Sequence, residues 1–215
     1  MESYAKLMFT DKVLALQEDA GTKALYAEKY PARTKSTLGA DERTFLESRR
    51  SIYLASVSET GWPYVQHRGG PLGFIKQLDG ETIAFADYRG NRQFISQGNL
   101  GQDDRVSIFA MDYPRRARLK LQGHATVIPA SDAPELANRL ATEGAGRVER
   151  LVSIRIVAFD WNCPQFITPR FDEAELGALV APHLAARDRK IKRLSQRLRA
   201  LGVDPAPYLK DPNDE

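Results

Sequence analysis

Arg89, Asn91 and Arg92 fall within four residues of one another in the stretch FADYRGNRQFISQGNL (85–100). Apolar residues lead into them and a helical pattern follows, which predicts a strand ending at Asp87 and a short helix over 91–98. A helix start exposes unpaired N–H groups at the positive end of the dipole, and an anion binds readily there. Asn91 can cap such a helix, Gly90 lets the backbone approach closely, and the two guanidinium groups add charge-assisted, two-pronged contacts. A phosphate suits this turn. A solvated turn with a good N-cap uses the same residues, so the pattern alone leaves both readings open.

Two further stretches carry chemistry-bearing side chains. In VQHRGGPLG (65–73), His67 and Arg68 end a strand, and Gly69 and Gly70 present bare backbone. In DYPRRARLK (112–120), Arg115, Arg116, Arg118 and Lys120 gather, and alternation puts Arg118 and Lys120 on the strand face opposite Leu119 and Leu121. That face suits an anionic substrate or plain solvation. His124 and His183 have no ligand-like neighbours in sequence and read as structural or exposed. The single cysteine, Cys163, excludes an intrachain disulfide and a thiolate zinc cluster, and no metal site is expected. It also lacks an activating His nearby, so a reactive thiolate is unsupported.

The elements that must position these residues follow from the hydrophobic period. Apolar groups at Val13, Leu14, Leu16, Leu25 and Tyr26, interrupted by Gly21, predict one kinked helix or two short ones over 10–30. PARTKSTLGA (31–40) has linker composition, and Asp41 is expected to cap a helix running to Arg49. The period then changes to two. Strands are predicted at 51–58, 64–68, 74–77, 82–87, 105–111, 119–127 and 151–159, with turn signals at Gly61, Asp79-Gly80 and Tyr113-Pro114. Six or seven short-spaced strands interrupted by one brief helix suggest a closed antiparallel barrel.

Helices are expected over 131–143, with Ser131 or Asp132 as cap, and over 171–201, with a break or kink at Pro182. The domain reading is an N-terminal helical extension (1–40), a barrel (41–170) and a C-terminal basic helical extension (171–215). The chain of 215 residues is long enough for one core with such appendages. Between 187 and 199, seven basic residues stand against one acid, so the rest of the chain carries a slight negative balance. That basic helix has Leu184, Ile191, Leu194, Leu198 and Leu201 at near-heptad spacing, an amphipathic stripe suited to a partner surface. Docking on the barrel or a dimer mate is expected, ahead of nucleic acid, for which aromatic interleaving is absent. No apolar run approaches a membrane span. The start MESYAKLMFTDKV lacks the apolar core of a secretory signal, so a cytoplasmic protein is expected.

The order SETGWPYVQHR, FADYRGNRQ, short helix, DDRVSIF, RLKLQGHATVI between Ser51 and Ile128 resembles the pyridoxamine 5′-phosphate oxidase-like, FMN-binding split-barrel proteins. The resemblance extends over roughly residues 45–170. It implies a six- to seven-stranded antiparallel split barrel, mainly β, with helical extensions. It also implies FMN as cofactor and a homodimer with flavin at the subunit interface.

Residue by residue, Asn91, Arg92 and Gln93 match the turn that grips the FMN phosphate, with Gln93 replacing a basic residue. Asp87 stands where the oxidases use a small hydroxyl residue. His67, Arg68, Gly69 and Gly70 match the strand and loop beside the isoalloxazine and ribityl chain. Trp161 and Arg170 match a flavin-covering Trp and a later Arg. Arg115, Arg118 and Lys120 are the substrate-side candidates. The oxidases' substrate-holding Arg and His find Phe166, Ile167 and Thr168 nearby instead, which cannot clamp a phosphate or shuttle protons. An FMN-dependent oxidoreductase of unidentified substrate and electron acceptor is therefore expected, without a named catalytic residue. Alternatives are a non-catalytic flavin carrier or sensor, or a split barrel holding heme or a deazaflavin.

Overall fold

The computed structural model describes residues 3–30, 37–143, 146–161 and 165–209; Cys163 falls outside them. The chain divides into two units, 1–168 and 169–215.

The first unit is built on seven antiparallel strands: β1 (Ser51–Val57), β2 (Pro63–Gly69), β3 (Ile75–Gln77), β4 (Thr82–Tyr88), β5 (Arg105–Asp112), β6 (Ala117–Pro129) and β7 (Val148–Trp161). All seven predicted strands are present, and their order in the sheet is β2-β1-β5-β6-β7-β4-β3. The period-two pattern sets the inside. Ile52 and Leu54 on β1, Val106, Ile108 and Ala110 on β5, Leu119 and Leu121 on β6, and Ile154 and Ile156 on β7 share one buried cluster. Their neighbours along each strand face outward. Burying each of the Val, Leu and Ile side chains contributes about 1.5–3 kcal/mol before conformational entropy is counted. β6 shifts register between Gln122 and Gly123. A Cβ on Gly123 would stand 2.7 Å from the Arg155 carbonyl oxygen, so the bulge accepts no side chain there.

Seven helices flank or follow these strands among the described residues: α1 (Tyr4–Met8), α2 (Asp11–Asp19), α3 (Lys23–Lys29), α4 (Ala40–Glu47), α5 (Ile95–Gln102), α6 (Pro134–Leu140) and α7 (Glu173–Ala200). The two expected short helices before residue 30 are α2 and α3, separated at Gly21 with φ 67°. Phe9 meets Tyr26 and Tyr30 edge-on at 5.7 and 5.6 Å, which ties α3 back to the chain after α1. Burial pushes the Tyr30 phenol up from its ordinary value, and a hydrogen bond to Asp160 adds to the effect.

Three boundaries differ from expectation. Gly39, not Asp41, occupies the cap of α4, because the Glu42 carboxylate reaches back to accept the Gly39 N–H at 2.8 Å. α6 begins at Pro134 after a single 3₁₀ turn over Ala130–Asp132, in keeping with proline's preference for a first helical turn. α5 begins at Ile95 rather than 91, for reasons that belong to the site.

In the second unit, α7 runs unbroken through Pro182, where a break or kink was expected. Asp172 and Glu175 form a reciprocal cap at its start, with bonds of 2.8 and 2.9 Å. At its end Gly202, with φ 77°, turns the chain so that its own N–H reaches the Arg199 carbonyl and the Val203 N–H reaches that of Leu198.

Candidate functional site

β4 delivers the chain to residues 89–94, and there the backbone does something unusual for its residue types. Arg92 and Phe94 take φ values of 59° and 57°, left-handed conformations uncommon outside glycine. Asn91 does not cap the helix. Its Oδ1 accepts the Gln93 N–H at 3.2 Å and closes a side-chain turn. The helix can therefore begin only after Phe94, which occupies the cap position without a side-chain bond.

α5 itself, ISQGNLGQ, has too few apolar residues for a hydrophobic face. It docks through polar groups instead. Ser96 donates to Gln66 on β2, and the buried Asn99 donates to Ser56 Oγ on β1 at 3.0 Å. Ser96 and Asn99 are three apart and share one helix face.

These elements enclose a cleft of about 300 Å³. Tyr64, Gln66 and Arg68 enter from β2, Asp87 and Tyr88 from β4, residues 90–94 from the turn, Ile95, Ser96 and Gln97 from α5, and Arg150 from β7. Two carboxylates organise three arginines in and beside it. Asp87 accepts from Arg68 Nη1 at 2.8 Å and from Arg150 Nε at 3.0 Å. Glu149 accepts from Arg92 Nη2 at 3.1 Å and pairs with Arg150 at 3.4 Å. Arg150 also lies over the Phe94 ring at 5.5 Å. Arg68 Nε is buried and has no hydrogen-bond partner among the described residues.

Of the residues singled out from sequence, Arg68, Asp87, Asn91, Arg92 and Gln93 line this cleft together. His67 lies on the opposite face of β2, exposed, with its ring edge-on to Tyr53 at 5.9 Å. Gly69 shares that alternate face, and a Cβ there would stand 2.9 Å from the His67 ring. A Cβ on Gly70 would come within 2.6 Å of Phe74 Cβ, so its bare backbone serves packing within the first unit. Trp161 meets Phe45 edge-on at 4.7 Å and donates its Nε1–H to the buried Glu42 at 2.8 Å, beside the core. Arg170 belongs to the second unit.

The substrate-side candidates lie on or beside β6. Arg115 pairs with the buried Asp112 at 3.2 Å. Arg118 covers the Phe109 ring, and Lys120 pairs with Asp160 at 2.7 Å while lying over Tyr4. His124 pairs with Asp104 at 2.7 Å. Among the described residues, no group of three or more His, Cys, Asp or Glu could hold a metal ion.

Sequence reasoning missed Arg150, Glu149, Tyr64, Gln66 and Ser96. For Arg150 the signal was its place before the apolar run LVSIRIV, where β4 pairs with β7 and Asp87 stands opposite it.

The sequence matches the family model for pyridoxamine 5′-phosphate oxidase over residues 38–156, more than half of the chain. It belongs to the pyridoxamine 5′-phosphate oxidase family. The matched residues begin just before α4 and reach into β7, so they take in nearly all of the strand framework and the whole cleft lining.

No curated protein matches the chain. Among solved structures, the family member resembles a putative pyridoxamine 5′-phosphate oxidase from Lactobacillus delbrueckii, with 18% identity and a TM-score of 0.47 over 59% of this chain and 96% of that one. An F420 reductase aligns with 20% identity and a TM-score of 0.40, covering 60% of this chain and 98% of the other. An FMN-binding protein from Syntrophomonas wolfei aligns with 11% identity and a TM-score of 0.41, covering 56% and 83%. No described helix is long and apolar enough to cross a membrane.

Proposed function

We propose that this family member is an FMN-binding oxidoreductase that works in the cytoplasm on a small molecule other than pyridoxamine phosphate. The observation that carries the reading is the cleft's donor set. Arg68, Arg92 and Arg150 converge on a space that the first turn of α5 also borders. Guanidinium groups and unpaired helix N–H groups are the donors a phosphomonoester needs. Arg92 and Arg150 would hold the phosphate. Tyr64 and Phe94 supply aromatic surface at the cleft. These residues fit FMN.

When bound, the flavin supplies two-electron redox chemistry. The chain's share is to hold the phosphate, fix the ring's orientation and limit solvent access. Phe166, Ile167 and Thr168 carry no charge with which to hold a pyridoxal phosphate, which supports a different substrate. Two identical subunits are proposed to complete the site. The outer faces of β1 and β2 and their hairpin expose Tyr53, Val57, Trp62 and Val65, apolar surface of the kind that a second copy covers.

Fluorescence titration of purified protein tests the reading. Wild type is expected to bind FMN far more tightly than riboflavin. Arg92→Ala is expected to weaken FMN about 10-fold and leave riboflavin unchanged, as for one charge-assisted bond. Equal affinities for FMN and riboflavin in wild type would overturn the phosphate assignment. Steady pyridoxal phosphate formation from pyridoxamine phosphate would overturn the exclusion of that substrate.

A further inference from the structure

Alternation along β7 should send Glu149 and Arg150 to opposite faces of the sheet. It does not, because the β4–β7 ladder passes from Asp87 opposite Arg150 to Tyr88 opposite Val148 and skips Glu149. Glu149 is thus the extra residue of a bulge, a device that re-aims a side chain beside a site. Its Oε1 accepts from Arg92 Nη2 at 3.1 Å, and its Oε2 pairs with Arg150 Nη1 at 3.4 Å. One carboxylate therefore spans the two guanidinium groups to which the phosphate was assigned.

The two acids beside these cations differ in role. Asp87 takes the other edge of Arg150, with Nε and Nη2 both 3.0 Å from its Oδ2, and takes Arg68 through Oδ1. Arg150 also lies over the Phe94 ring. Its position is fixed without Glu149. Arg92 is the opposite case. Its side chain is half exposed, its backbone stands at φ 59°, and its head is paired to Glu149.

On the phosphate reading of the cleft, which this role presupposes, we propose that Glu149 is a built-in stand-in for the phosphate. It neutralises Arg92 and Arg150 while no ligand is bound and gives them up when a phosphomonoester enters. Cations that converge on one space repel one another unless anions lie among them. Asp87 supplies one such charge and Glu149 the other. A carboxylate offers two oxygens to two donors as a phosphate does, but with a single charge against the −1.5 to −2 of a phosphomonoester near pH 7. It is the weaker partner of the two. A phosphate held by Arg92 and Arg150 repels the carboxylate beside it, and the open side of Arg92 gives Glu149 water to move into. Glu149 therefore lowers the affinity of the site for a phosphate, and a ligand without one leaves the Glu149 pairs intact.

Fluorescence titration of the full-length protein with FMN and with riboflavin tests this. Glu149→Gln keeps the length of the side chain and removes its charge. It is expected to tighten FMN about 3- to 10-fold, the gain from losing a partly screened competing ion pair, and to leave riboflavin unchanged. Asp87→Asn removes an equal charge from the same cleft but unties Arg68 and Arg150, so it is expected to weaken FMN. In an Arg92→Ala background, Glu149→Gln is expected to give a smaller gain. Unchanged or weaker FMN binding by Glu149→Gln would mean that the carboxylate orients the arginines for the ligand, and overturns the proposal. An equal gain from Asp87→Asn, or an undiminished one without Arg92, marks a general charge effect and overturns it too. The wild type separates the two levels of failure. Equal affinities for FMN and riboflavin there remove the phosphate from the cleft and this role with it, whereas a wild type that prefers FMN leaves a failed Glu149→Gln to count against Glu149 alone.

Discussion

Arg68 and Asp87 touch at 2.8 Å although their strands, β2 and β4, are separated in the sheet by four others. Only a sheet curled back on itself brings them together, so the pair bridges the split that backbone hydrogen bonds leave open. Both side chains are about four-fifths buried, which limits solvent screening. Asp87→Asn is expected to lower stability by about 1–3 kcal/mol, the range for losing a buried charged hydrogen-bond partner. Urea unfolding that leaves the midpoint of the variant at the wild-type value would show that the bridge does not hold the seam.

Arg150 is the cation that both carboxylates share, and it stands opposite Asp87 in the β4–β7 ladder. Arg150→Ala is expected to reduce FMN affinity about 10- to 100-fold, whereas Lys120→Ala, on the outer face of β6 and engaged with Asp160, should leave it unchanged. Calorimetric titration of both variants separates the two sides of the strand framework. A larger loss from Lys120→Ala would move the anion site to β6.

A second buried ion pair anchors α4 to the end of β5. Arg49 donates to Asp112 at 2.7 Å, to the Met111 carbonyl at 2.9 Å and to the Phe45 carbonyl at 3.1 Å, and it stacks on the Phe45 ring. Removing one partner leaves a buried charge uncompensated, so Asp112→Ala is expected to cost about 3–5 kcal/mol. The double variant Arg49→Met with Asp112→Leu is expected to lose less than the single one. Thermal melts of the two decide between a pair that stabilises and a lone charge that does harm.

Acid should release one surface contact in a defined window. A side-chain hydrogen bond from Arg105, with its backbone N–H adding to it, draws the Asp103 carboxyl down to about 2. A depressed carboxylate contributes stability above its ordinary value and loses it as pH falls, here between the usual carboxylate range near 4 and about 2. Arg105→Gln is expected to return Asp103 toward that ordinary range. Carboxyl-carbon NMR titration reads the change, and an unaltered midpoint would remove Arg105 as the cause.

The strands were legible because one face of each is buried, and burial of one face imposes a period of two that Ile52, Leu54, Ile108 and Leu121 display openly. Arg68, Asp87 and Arg92, singled out through the motif order of the resemblance, all line the cleft. Their partners were not legible. Which strands face each other across the split depends on how far the sheet curls, and no local spacing records that. Arg150 and Glu149 were missed for this reason. The start of α5 was misplaced because Arg92 and Phe94 adopt left-handed conformations with no glycine to signal them, and because Asn91 turned its side chain to Gln93 instead of to a helix.

Asp87 and Glu149, by holding the arginines, also set how a ligand arrives. Seen from a distance, the cations of the cleft are largely cancelled by the two carboxylates beside them, and an approaching anion feels only a weak field. Capture should therefore proceed at an ordinary diffusive rate that changes little with ionic strength. The arginines act once the ligand is within reach, so differences in affinity among anions should lie in how slowly each one leaves.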